Sequence, residues 1–157
     1  MTKSAVAVAQ AFLDLANSEG VRLTNMHLQK LVYFAHGVYL AAYNGEPLIS
    51  DEVKAWDFGP VIPPLYEKLR IYGGGFVDPD LAPETRGSIS PNDREGQAIL
   101  STWYSYKHHS GWDLSVISHA RNSPWDIVWN QQNNRYGVIP DAVTRYYYAN
   151  RVKHAGI

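Results

Sequence analysis

The sequence predicts a mainly α fold: six or seven helices around a central buried helix, with a minor β-hairpin or extended element near residues 47–58. Three observations predict it. Apolar residues recur at spacings of three, four and seven in most stretches of the chain. Only the stretch from Pro47 to Phe58 alternates loosely, as a short strand pair would. Gly, Pro and Asn punctuate nearly every junction between these stretches. With 157 residues, 45% of them apolar, the chain suits one core. No repeat or linker divides it, so a single domain over 1–157 is expected.

In the first segment Ala5, Val8, Ala9, Phe12, Leu15 and Ala16 make one apolar stripe and leave Gln10, Asp14 and Asn17 for solvent. That is an amphipathic helix rather than a secretory signal, with Gly20 just past its end. Thr24 caps the next helix, and Leu23 and Leu28 fall at N′ and N4 as a hydrophobic staple. Leu28, Leu31, Val32, Ala35, Tyr39 and Ala42 form its main stripe. Tyr33, Phe34, Val38 and Leu40 make most other faces apolar too, so this helix should be central. Asn25, Gln29 and His36, with Lys30 nearby, draw a polar line along it.

Asn44-Gly45 stops the central helix. Gly59-Pro60 reads as a turn, and Pro63 and Pro64 fit a first helical turn, where missing amide hydrogens matter least. A helix through Leu65, Tyr66, Leu69 and Tyr72 should end at Gly73. From Gly73 to Ser90 three consecutive glycines, two prolines and several acids predict a mobile loop. Ser90-Pro91-Asn92-Asp93 opens a helix with Glu95, Ile99, Thr102, Trp103 and Tyr106 on one face, running to about His108. A shorter helix after Ser110-Gly111 carries Leu114 and Ile117. Ser123 caps another with Pro124 at N1, and Asn133-Asn134 breaks it. Pro140 and Asp141 open the last helix, with Val143, Tyr146, Tyr147 and Asn150 as its stripe.

Composition narrows the function. Lys and Arg number 14 against 15 Asp and Glu, a formal charge of -1, so no bulk field holds polyphosphate or an anionic membrane. A nucleic-acid partner would need a local patch. The best one, Arg145, Arg151, Lys153 and His154, reads as a solvated helix end with cations near the negative end of the dipole. The absence of Cys excludes disulfides and thiolate chemistry and suits a cytoplasmic, reducing location. No run of 18 apolar residues is present to span a bilayer.

The residues needed for chemistry do not assemble in sequence. His27 and His36 fall on different sides of a helix, His108 and His109 diverge, and His109 and His119 meet only through tertiary folding, so no metal site is expected. Gly-X-Ser-X-Gly is absent, and adjacent Ser118 and His119 diverge by about 100 degrees on a helix. Gly73-Gly74-Gly75 leads into Phe76-Val77-Asp78-Pro79 rather than a phosphate-binding helix. Asp51 with Glu52 and Asp78 with Asp80 read as solvated loop acids. Neither an enzyme nor a cofactor is expected. The anomaly is aromatic content, 13% of residues. Tyr104, Tyr106, Trp112, Tyr136 and Tyr146-Tyr147-Tyr148 lie on several faces, and partly exposed Tyr and Trp dominate protein-interface hot spots.

Three motifs, in order, resemble the Panacea domain of SocA-like antitoxins, also labelled phage-associated GepA-like proteins. They are Leu28-Gln29-Lys30-Leu31-Val32-Tyr33-Phe34-Ala35, the corner Ala55-Trp56-Asp57-Phe58-Gly59-Pro60-Val61, and Ser118-His119 followed by Ser123-Pro124-Trp125. The resemblance runs from Leu23 to Asn150. It implies an antitoxin that neutralises a cognate toxin protein by direct contact, with an adaptor delivering a client to a protease as the alternative. A nucleic-acid-binding regulator is a further alternative, disfavoured because the residues before Leu23 read as a plain amphipathic helix. Leu28, Gln29, Lys30, Leu31, Tyr33, Phe34, Trp56, His119, Pro124 and Trp125 are then expected to be scaffold, with Trp56 and Phe58 packed on the central helix. Partner contact is expected from the loop Phe58, Gly59, Pro60 and Val61 and from Tyr104, Trp112 and Tyr148. Glu84 and Arg86 are expected to play no part.

Overall fold

The computed structural model describes residues 2–154, with side chains described through Arg151. The first helix, α1 (Ala5–Ser18), starts where Ser4 Oγ accepts from the Ala7 amide at 3.1 Å and ends before Gly20, whose φ of +73° suits glycine. Its inner face, including Phe12 and Leu13, packs on α2 (Asn25–Ala42). Gln10 does not face solvent as its place in the stripe suggested. It is buried, donating to the Pro79 carbonyl at 2.7 Å and accepting from the Ala82 amide at 2.7 Å.

Helix α2 is the central helix the sequence predicts. Thr24 caps it reciprocally with His27, and Leu28, Leu31, Val32, Tyr33, Phe34, Ala35, Tyr39 and Leu40 are all buried, while Ala42 lies exposed at its end. Neighbours cover it on several sides: α1, α3 (Pro63–Leu69), α4 (Arg94–Tyr106), α5 (Gly111–Ser118) and α7 (Asp141–His154). Gln29, Lys30 and His36 of its polar line are buried as well. His36 Nε2 meets Asp141 Oδ1 at 2.9 Å, and Gln29 Oε1 accepts from the Ile62 amide at 2.9 Å.

The β element is a hairpin of β1 (Lys54–Trp56) and β2 (Gly59–Val61), paired antiparallel with Trp56 opposite Gly59 and Ala55 opposite Pro60. The turn is therefore Asp57-Phe58, and Gly59-Pro60, expected as the turn, is strand. Antiparallel pairing alternates inward- and outward-pointing amides, which explains the proline. Ala55 and Pro60 point away from each other. Ala55 exchanges bonds with Tyr136 and Gly137 on its far side at 2.8 and 2.9 Å, while the Pro60 carbonyl points to Lys30. A missing Pro60 amide hydrogen costs the ladder nothing.

After α3 and a 3-10 turn at Arg70–Tyr72, the glycine-rich segment is tied down rather than loose. The Val77 amide donates to the Leu23 carbonyl at 2.8 Å, Ala82 is fully buried, and Arg86 bridges Asp14 and Asp80. Those two carboxylates raise the Arg86 pKa further. The partner that fixes the segment is Gln10, far away in sequence, so local composition gave no sign of it.

Helix α6 is a single turn, Pro124–Asp126, that widens into a π-helical turn at Ile127–Gln131. In α7 the buried face is Thr144 and Tyr148, one residue out of phase with the expected Val143-Tyr146-Tyr147-Asn150 stripe. The cause lies on α2. A Cβ on Gly37 would sit 2.5 Å from the Tyr148 ring, so the glycine makes a notch that the tyrosine fills. Tyr148, expected to be a partner contact, is 7% exposed and lies edge-on to Tyr33 at 6.2 Å. Of the C-terminal cations, Arg145 donates to Asn44 Oδ1 at 2.7 Å and Arg151 covers the Tyr147 ring at 4.4 Å. The side chains of Lys153 and His154 lie outside the described residues.

Candidate functional site: an aromatic cavity over a buried lysine

Lys30 is 2% exposed. Its Nζ donates to the Pro60 carbonyl at 2.8 Å, and among the described residues no carboxylate lies within ion-pair distance of it. Burial disfavours the charged amine and lowers its pKa from 10.5 to about 7. Gly59 is what lets the strand approach. Its φ is +112°, and a Cβ there would stand 2.5 Å from Ser118 Oγ and 3.3 Å from Lys30 Nζ.

A cavity of about 650 Å³ opens beside this lysine, a volume ordinary for a ligand site. Thr24, Asn25, Met26, His27, Gln29 and Lys30 line it from the start of α2. Trp56, Asp57, Phe58 and Val61 come from the hairpin, Tyr66 from α3, Gly73 and Gly74 from the next turn, Gly111 and Trp112 from α5, and Tyr136 from the segment beside β1. Its mouth is aromatic. Phe58 and Trp112 are 56% and 55% exposed and meet edge to face at 6.1 Å. Trp56 is half-buried against Tyr66 at 5.1 Å, and Tyr136 donates a short hydrogen bond to Asp57, which raises its own pKa. Burial lowers the His27 pKa.

Buried polar atoms complete the site. Because the Ile62 amide donates to Gln29 Oε1, the amide group has one orientation, and among the described residues Nε2 is a buried donor without a partner. Asn25 Oδ1, in the same wall, is a buried acceptor that likewise has no partner among them.

The hairpin is held from behind by the third motif. Trp125 Nε1 donates to the Trp56 carbonyl at 2.6 Å, and Ser115 Oγ to the Phe58 carbonyl at 2.6 Å. His119 lies edge-on to Trp125 at 5.3 Å, and Pro124 is buried in the α6 turn. Leu28, Leu31, Tyr33 and Phe34 are core, as expected. Gln29, Lys30 and Trp56, expected as scaffold alone, also line the cavity. Phe58, expected to pack on α2, is exposed at the mouth, while Gly59, Pro60 and Val61, expected as an exposed loop, are buried. Tyr104, 61% exposed on α4, is not among the lining residues and carries Lys107 Nζ 4.9 Å over its ring.

Sequence reasoning did not single out Asn25, His27 or Tyr66 as site residues, and named Tyr136 only among the aromatics that lie on several faces. Tyr136 reaches the mouth through a backbone φ of +65°, which no local pattern announced. A signal did exist for Lys30, a lysine within a helix apolar on nearly every face.

Among the described residues no cluster of His, Asp and Glu could hold a metal, and no helix is long and apolar enough to cross a membrane. What the site offers is a rigid aromatic mouth over two spare donors. Comparison with known proteins assigns the class of molecule that carries it. The sequence model of the Antitoxin SocA-like, Panacea domain family matches residues 28–126, which span all three motifs and most of the cavity wall. The chain is 32% identical over 139 residues to Antitoxin SocA of Caulobacter vibrioides (strain NA1000 / CB15N), covering 84% of this chain and 73% of that protein. This chain belongs to the SocA-like, Panacea-domain antitoxin family. No solved structure matches it.

Proposed function

We propose that this protein is an antitoxin that neutralises a cognate toxin by direct contact, and that the mouth formed by Trp56, Phe58, Trp112 and Tyr136 is the contact surface. The exposed Phe58–Trp112 pair carries the reading. Large aromatics are ordinarily buried, and here two stand open on backbone fixed by the Ser115 and Trp125 bonds. Such pre-ordered anchors bind without first losing loop entropy, and Trp and Tyr are the residue types that dominate hot spots. No reacting side chain is required, so the protein acts as a binder and not as an enzyme.

The test is rescue of growth on co-expression with the toxin encoded beside it. Phe58→Ala and Trp112→Ala, both folded, should each lose rescue, and the pulled-down complex should weaken at least tenfold. Tyr104→Ala, on another face, should rescue normally. Normal rescue by both mouth variants would refute the surface, and failure of Tyr104→Ala alone would move it to α4.

A further inference from the structure

The cavity holds more than an interface needs. Among the described residues, a lysine amine without a counter-ion and an oriented amide donor without an acceptor share one wall, and both side chains are more than nine-tenths buried. Either atom left dry and unmatched is costly. Among the described residues no intramolecular anion answers them, since the one carboxylate lining the cavity, Asp57, is exposed at the mouth and engaged by Tyr136. An entering anion would. We propose that the cavity binds a small organic acid, a ring-sized apolar body bearing one carboxylate. The carboxylate accepts from Lys30 Nζ and Gln29 Nε2, and the ring packs among Trp56, Tyr66 and Trp112. Asn25 Oδ1 adds a preference for a ring that carries an N–H or hydroxyl donor.

The carboxylate is favoured over a neutral carbonyl because Lys30 has two ammonium hydrogens left after its bond to Pro60. The volume is ample for one ring system with a short acid arm. The ring shares Trp56 and Trp112 with the proposed toxin surface, but the donors that hold the carboxylate, Lys30 and Gln29, lie on the floor and are not part of that surface.

Indole-3-propionate is a direct probe, with its neutral amide as the control. In isothermal titration at pH 8 the acid should bind at least tenfold more tightly than the amide. It should also shift the indole N–H resonances of Trp56 and Trp112. Lys30 is largely neutral at pH 8 in the empty cavity, with a pKa of about 7, and becomes ammonium beside a carboxylate. Binding should therefore take up most of one proton, read as a dependence of the apparent enthalpy on the ionisation enthalpy of the buffer. The other titratable groups on the walls are His27, Asp57, Tyr66 and Tyr136. Burial lowers the His27 pKa, so its imidazole is neutral at this pH, and the Asp57 hydrogen bond raises that of Tyr136, so neither supplies that signal.

Lys30→Met should weaken the acid at least tenfold and abolish the uptake. Gln29→Glu, which keeps the acceptor for Ile62 but replaces the donor with a negative charge, should weaken it as much. A short peptide ending in Trp, with a free or amidated terminus, separates the two sources of this chemistry. Binding of the free-ended peptide assigns a polypeptide end, and its exclusion while the acid binds assigns a free metabolite. If the folded wild-type protein binds neither acid nor peptide, or binds acid and amide alike with no proton uptake, the proposal is overturned.

Discussion

Lys30→Met should change how stability depends on pH, and the size of the change follows from burial. The folded pKa lies at about 7 against 10.5. The sign follows from proton counting. Between pH 7 and 10.5 the unfolded chain holds the proton and the folded chain does not, so stability rises with pH through this window and the full penalty is present below pH 7. A shift of this size corresponds to roughly 4–5 kcal/mol at 1.36 kcal/mol per unit. Part of the window is enough for the assay. Between pH 7.5 and 9.5 the wild-type protein should gain about 2.5 kcal/mol relative to Lys30→Met. Burial raises the pKa of Tyr33 and Tyr148, so those groups do not intrude below pH 9.5.

Urea unfolding followed by tryptophan fluorescence at the two pH values measures the difference, and taking it relative to the variant cancels groups common to both proteins. The absolute effect at pH 7.5 is smaller than the full penalty. Methionine fills the space and removes the buried charge, but it leaves the Pro60 carbonyl without its donor, at a cost of about 1–3 kcal/mol. Parallel pH dependences, agreeing within about 0.5 kcal/mol, would refute the reasoning. They would mean that Lys30 reaches water in the folded state.

Gly59→Ala should destabilise by more than about 2 kcal/mol, since it combines a positive-φ penalty with the Ser118 clash, and chemical denaturation reads it directly. Gly37→Ala should cost about 1–3 kcal/mol through the Tyr148 ring despite the better helix propensity of alanine. Tyr148→Leu in the same chain should recover part of that loss. Trp56→Ala should cost about 2 kcal/mol, less than a fully buried tryptophan, because its ring is half-buried and its carbonyl keeps the Trp125 bond. Non-specific duplex DNA should bind no more tightly than about 1 µM at physiological salt, measured by anisotropy, because the chain has a formal charge of -1 and two of its C-terminal cations have partners within the fold.

Helix positions were legible in the sequence because caps and stops are local. Thr24 and Ser123, read as caps, each accept from their own first turn, and Asn44, Gly45 and Asn133, read as stops, adopt positive φ. Errors arose where a distant partner decided the outcome. Gln10 is drawn inward by Pro79 and Ala82, α7 rotates by one residue to seat Tyr148 in the Gly37 notch, and the hairpin turn moves to Asp57-Phe58 because the Pro60 carbonyl serves Lys30. The candidate site was half legible. Phe58 and Trp112 stand out as aromatics without a helical stripe to join, but the cavity between them arises from six chain segments that no spacing connects.

Scaffold and site are not alternatives in this fold. The carbonyl that Lys30 holds belongs to Pro60, the residue that fixes β2, and Phe58 reaches the mouth because Ser115 and the tight Gly59 crossing set the turn. A residue that only filled space would tolerate a volume-conserving exchange, whereas one that also aims a neighbour would not. Lys30→Met and Gln29→Glu separate the two roles, because each nearly conserves volume and removes a donor from the cavity. If the variants fold while toxin rescue survives and acid binding is lost, the cavity floor and the aromatic mouth are distinct functions built on one hairpin. If rescue is lost with acid binding, the donors act through the hairpin on the mouth, and the three motifs are one mechanical unit.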